Sequence, residues 1–235
     1  MRVLTVFLFL TVLMGWTVDR GAAIRDLVTT RADLADVSFA EVVRAATGKS
    51  IVPVDDVKDA VLLGRIGKAL DRALEAVRSA EHPAHEEKRI NEVSRHFEAA
   101  IREALNALEG FVCDYPKTVD GRTQRVGYPD LRLVDKASGR VIYLDPKLFQ
   151  EKSRGSSLRT FYFTPQTGTG KILEDAHHLL VGIAHRGKSE GVWQFAGWEL
   201  VDLSRFRVRL KVEFQAGNRD IYREENVVAQ SGSVD

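Results

Sequence analysis

Only one of the 235 residues, Cys113, is a cysteine. One thiol cannot form an intramolecular disulfide, and it is too isolated for a zinc site or a thiol nucleophile. There is no excess of charge of either sign: 34 Lys and Arg stand against 33 Asp and Glu. The molecule as a whole therefore exerts no long-range pull on a polyanion, and any nucleic-acid binding must come from a local patch. A genuine phosphate loop is also missing. Thr47-Gly48-Lys49-Ser50 has the right ending, but Val43 occupies the place of the first glycine and the run follows a predicted helix. Gly168-Thr169-Gly170-Lys171 lacks both the spacing and a following Ser or Thr. No Ser, His and acid stand in a recognisable nucleophile elbow.

The first residues carry the one long apolar run. Met1-Arg2 is a short positive start, Val3 to Trp16 is apolar apart from Thr5, Thr11 and Gly15, and Gly21 and Ala23 are small. This pattern predicts a secretory signal peptide over residues 1–23, cleaved after Ala23, and hence a secreted or periplasmic location. Cleavage removes Arg2, Arg20 and Asp19, leaving 32 basic and 32 acidic residues and no net charge.

Residues 24–85 read as an N-terminal helical segment. Ser38-Phe39-Ala40-Glu41 has the form of a capping box, and Gly48 ends that helix. Asp55 or Asp56 caps a longer helix with Val61, Leu62, Ile66, Leu70, Leu74 and Val77 at helical spacing. His82-Pro83-Ala84-His85 reads as a solvated linker. A further helix is predicted from Glu86 to Phe111, its stripe formed by Ile90, Val93, Phe97, Ile101, Ala104 and Leu108. A strand is predicted over Leu158–Thr164, a helix from near Lys171 and a strand over Val192–Leu203. The clearest alternation sets Phe206, Val208, Leu210, Val212 and Phe214 against Arg205, Arg207, Arg209 and Lys211. Residues 86–226 form the predicted core, and 227–235 a frayed tail.

The chemistry concentrates at Asp130 and Asp145-Pro146-Lys147. Asp130 opens the run Leu131-Arg132-Leu133-Val134-Asp135, Lys136 to Arg140 reads as a turn, and Val141 to Lys147 returns. Side chains alternate along a strand, so Val141, Tyr143, Asp145 and Lys147 share one face and Ile142 and Leu144 the other. A hairpin then brings both carboxylates together beside an ammonium. Two carboxylates suit a hard divalent cation, and the ammonium suits charge building on a phosphate. Proline at 146 removes a ladder donor, which predicts an edge or a bulge there.

Pro129-Asp130, fourteen intervening residues and Asp145-x-Lys147 resemble the signature of the PD-(D/E)xK nuclease superfamily, closest in pattern to EcoRV-type enzymes. The order of Phe161-Tyr162-Phe163-Thr164 and then Asp175 to Gly182 is similar as well. The resemblance implies an α/β fold: a restriction-endonuclease-like core with a central mixed β-sheet flanked by helices, behind the N-terminal helical segment. It implies a Mg2+- (or Mn2+-) dependent endonuclease acting on DNA, with Asp130 and Asp145 as metal ligands and Lys147 near the attacking water. It also implies a third carboxylate from the preceding helix, where Glu98 lies about 100° from Phe97 by the helical repeat. The resemblance admits a homodimer. From Lys147 to Lys188 seven basic residues oppose three acids, and Lys152, Arg154, Arg159 and Lys171 are the expected DNA contacts. The competing expectation is a catalytically silent secreted module that binds nucleic acid or protein with the same fold.

Overall fold

The computed structural model describes residues 19–30, 34–55, 57–157, 161–165, 170–213 and 215–229. The predicted signal run Val3–Trp16, Arg159 and the last six residues lie outside them. Two compact units emerge, residues 37–208 and the combination of 1–36 with 209–235. In the smaller one, α1 (Arg20–Thr30) and α5 (Asn218–Ile221) are short, and Leu210 N–H donates to Leu34 O at 2.8 Å. Among the described residues no helix is long and apolar enough to cross a membrane.

The larger unit begins with β1 (Val37–Ser38) and α2 (Phe39–Thr47). Glu41 accepts the Ser38 N–H at 3.3 Å, one half of the predicted capping box. Next come α3 (Ala60–Arg78) and α4 (Ile90–Asn106). The strands are β2 (Phe111–Asp114), β3 (Leu131–Asp135), β4 (Arg140–Gln150), β5 (His177–Ser189), β6 (Val192–Asp202) and β7 (Arg207–Val208). β2 to β6 form a five-stranded mixed sheet in chain order, parallel only between β4 and β5, while β1 pairs with β7. This is the restriction-endonuclease-like core that the resemblance implied.

Both faces of the sheet are covered. Leu62, Ile66, Leu70, Leu74 and Val77 of α3 and Val93, Phe97, Ile101 and Leu105 of α4 bury against Leu133, Ile142, Leu144 and Val181. Truncating Phe97 to alanine there would cost about 3–5 kcal/mol. Tyr143 faces the other way and packs with Phe39, Val43, Ile51 and Ile172. Alternation along β4 therefore runs as the sequence predicts, and α3, from the N-terminal helical segment, packs on the sheet. A Cβ at Gly67 would meet Trp198 Cη2 at 3.3 Å, so glycine lets α3 approach β6 closely.

Several local expectations are corrected. α3 begins at Ala60 after Asp59, because Asp55 spends its carboxylate on the N–H groups of Val57 and Lys58. His82–His85 is not a solvated linker: Pro83–His85 is a 3₁₀ turn, with His85 accepting the Trp193 N–H at 3.0 Å. Residues 161–165 form no strand, and no helix starts near Lys171. The segment runs instead into β5, whose hairpin to β6 turns on Glu190 (φ 51°) and Gly191 (φ 82°). Positive φ at both positions is what a two-residue hairpin turn requires. The alternation from Arg205 to Phe214 yields only the two residues of β7, because β1 offers only Val37 and Ser38 as partners. Phe214 lies outside the described residues.

Candidate active site

The β3–β4 hairpin sets the geometry. Leu131 pairs with Leu144, so Asp130 and Asp145 follow one another across the point where the strands part. Beyond it β4 continues from Asp145 to Gln150, paired with β5 alone among the described residues. Pro146 therefore sits in a strand that is central up to Leu144 and an edge afterwards, which is how the sheet tolerates it.

Lys147 Nζ lies 2.7 Å from Asp145 Oδ2 and 3.3 Å from Asp130 Oδ2. Asp145 Oδ2 is buried, and the Lys147 ammonium is the one cation against it among the described residues. Burial pushes the Asp145 carboxyl up to about 7; Lys147 pulls it down and Asp130 pushes it further up. Burial lowers Lys147, but Asp145 and Asp130 outweigh that and hold the ammonium above its ordinary value. Lys147 is thus a charged donor at neutral pH, not a base. A buried carboxylate oxygen beside a second carboxylate, with an ammonium already drawn to both, suits an oxygen-seeking cation.

Glu98 stands at the flank of α4, as its spacing predicts. Arg125 holds its carboxylate at 3.1 Å and stacks over the Tyr115 ring, 4.5 Å from the centroid. Burial raises the Glu98 carboxyl, Arg125 counters, and Asp130 raises it further, so these two acids feel each other's charge. Among the described residues, no three or more His, Cys, Asp or Glu groups converge closely enough to hold a metal on protein ligands alone.

Two residues before Asp130, Tyr128 belongs to a pair that the sequence did not reveal. Tyr128 Oη and His178 Nδ1 are 2.7 Å apart. The Tyr128 ring packs edge-on against Phe39, Phe161 and Phe163. Burial drives the His178 imidazolium down to about 3 and the Tyr128 phenol well above its ordinary value, so both are neutral. His178 Nε2 is buried without a partner.

The expected DNA contacts separate. Lys152 is exposed on the 3₁₀ turn Glu151–Ser153, and no ion pair engages it among the described residues. Arg154 makes a bidentate pair with Glu199 at 3.0 and 2.9 Å. Arg154 lies in the wall of a cleft of about 520 Å³ that Lys147 shares with Phe149, Leu180, Gly182, Glu199 and Val201; Lys152 does not line it. Lys171 is not on an open loop. It is 3% exposed, and its ammonium bonds the carbonyls of Gln124 and Gly127. The sequence reading missed Arg125, His178 and the burial of Lys171; the adjacency of Tyr128 to Pro129-Asp130 was the one available signal.

The sequence model of the type II restriction enzyme MjaV family matches residues 32–225. The chain belongs to that family. A curated member, Type II restriction enzyme MjaV of Methanocaldococcus jannaschii, is 32% identical over 206 residues, covering 82% of this chain and 87% of that protein. A family of restriction enzymes is a family of endonucleases. Its matched span contains α2 to β7 and hence Glu98, Asp130, Asp145 and Lys147.

Proposed function

We propose that the protein is a metal-dependent endonuclease of the PD-(D/E)xK type, hydrolysing phosphodiester bonds in DNA at Asp130, Asp145 and Lys147. The observation that carries this reading is the convergence of two carboxylates, one of them buried, on one charged lysine. Family membership supplies the reaction class.

Asp130 and Asp145 would hold Mg2+ or Mn2+, with Glu98 as a third acid reached from α4. That ion supplies the positive charge that offsets the anionic phosphate and makes water a better nucleophile. Lys147, held protonated, donates to the water or to a phosphate oxygen and fixes the line of attack. The water oxygen bonds to phosphorus as the bond to the leaving sugar oxygen breaks, and the two products separate with one proton released. Past Leu144 β4 pairs with β5 alone, and Pro146, with no N–H to offer, suits an edge left free of a second partner where the substrate must approach. Arg154, in the wall of the cleft, and Lys152, on the turn just before it, would meet the sugar–phosphate chain beyond Lys147. Cutting both strands takes two such centres, which a homodimer provides.

The test is plasmid cleavage with Mg2+ or Mn2+ by the wild type, Asp130→Ala and Asp145→Ala. Cutting by the wild type alone is expected; equal cutting by all three would end the assignment. For location, we infer export from the Val3–Trp16 run. N-terminal sequencing from the producing cell should begin at Ile24, and a start at Met1 would contradict it.

A further inference from the structure

We propose that Lys171 is a positioning residue that fixes Asp130 by tying down the connection that delivers it; this rests on the nuclease reading above. Residues 115–130 join β2 to β3. Their own ordering is local: Lys117 bridges Thr123, Thr118 turns onto Arg122, and the Gln124 side chain donates to Val126 O at 3.0 Å. The Arg125 and Tyr128 side chains reach Glu98 of α4 and His178 of β5, but none of these bonds ties the backbone of the final stretch to the β4–β5 connection.

Lys171 does. Its ammonium lies 3.3 Å from Gln124 O and also donates to Gly127 O, three residues before Asp130. Those contacts span 47 and 44 residues of sequence, so they clamp the β2–β3 connection to the β4–β5 connection. Burying an ammonium is expensive unless charges and acceptors compensate. Burial lowers the Lys171 ammonium below its ordinary value; the fields of Asp130, Asp145 and Glu98 offset part of that, and two carbonyls accept from it. One cation thus lies in the field of the three acids and holds the backbone that leads to one of them.

Two effects of removing that cation oppose each other. Loss of a positive charge would tighten binding of a divalent cation to the acids, whereas loss of the tether would loosen Asp130 and weaken it. Groups that orient ligands in this way are worth about 10–100-fold in metal affinity, and the tether is the larger effect in this proposal.

The experiment compares the full-length wild type with Lys171→Met in two measurements. In metal-free protein, amide hydrogen exchange across residues 122–130 should accelerate by about tenfold or more, while β5 and β6 exchange as before. Calorimetric titration with Mg2+ should show affinity reduced by about tenfold. Unchanged exchange, or tighter Mg2+ binding, would overturn the inference and leave Lys171 as a counter-charge. A wild type that binds no Mg2+ would defeat the nuclease reading instead, and the exchange measurement would still judge Lys171. Should the methionine variant not fold, Lys171→Gln takes its place, with an amide donor but no charge, and the same outcomes decide.

Discussion

Lys147 and Asp145 share one face of β4, with the ammonium nitrogen 2.7 Å from Oδ2. The lysine occupies the side of the carboxylates on which a cation would bind. Lys147→Met should therefore cut DNA at least about 100-fold more slowly, since it removes a donor aimed at developing charge. The same variant should bind Mg2+ more tightly, because a competing positive charge has gone. Calorimetry beside single-turnover cleavage checks both signs, and weakened Mg2+ binding would contradict the arrangement.

Asp145 is a buried carboxylate kept at a cost to folding. Asp145→Asn should abolish cleavage and stabilise the metal-free protein at pH 8, by on the order of 1–2 kcal/mol after allowance for the partner that Lys147 loses. Denaturant melts decide this, and a destabilised variant would show that the ion pair outweighs desolvation.

The pH dependence has a definite sign. The folded-state pKa of Asp145 is raised from 3.8 to about 7, so its contribution to stability is full below pH 3.8 and is lost as pH rises through 7. His178, lowered from 6.5 to about 3, acts the other way: its contribution is present above pH 6.5 and is lost as pH falls toward 3. Between pH 4 and 6.5 the two slopes oppose. In Asp145→Asn the histidine slope stands uncovered, and stability should fall on acidification more steeply than in the wild type by about 1.4 kcal/mol per pH unit. Parallel curves for the two proteins would refute this.

Tyr128 and His178 test the pair that precedes Asp130. Tyr128→Phe removes the hydroxyl from a 2.7 Å contact and leaves both imidazole nitrogens without partners. A buried group stripped of its hydrogen bond costs about 1–3 kcal/mol, and thermal unfolding should record that loss. A variant as stable as the wild type would mean that the pair is not structural.

The two basic candidates beside the cleft should behave unequally. Lys152→Ala should lower the slope of log affinity for DNA against log salt by about one. Arg154→Ala should lower it less, because its guanidinium is already spent on Glu199. Equal slopes for Lys152→Ala and the wild type would remove Lys152 from the interface.

The central hairpin was legible because its information is local. Alternation from Val141 to Lys147 is set by the strand itself, and a turn between two apolar runs brings Asp130 to Asp145 without help from elsewhere. The flank position of Glu98 follows likewise from the helical repeat alone. What stayed hidden depends on partners distant in sequence. Lys171 lies in a Gly- and Thr-rich stretch that reads as a loop, and only the carbonyls of Gln124 and Gly127 bury it. His178 looks like any histidine beside an apolar run until Tyr128 is placed against it, 50 residues away. The alternation after Arg205 misled for the converse reason: amphipathic patterning offers a strand, but the partner decides how much of it forms, and β1 is two residues long.

The most direct measurement is an anomalous-difference map from crystals of the protein soaked in Mn2+. The account predicts a peak between Asp130 and Asp145, within coordination distance of both carboxylates and lost in Asp145→Asn. Manganese bound elsewhere, with the two acids still gripping Lys147 alone, would contradict it.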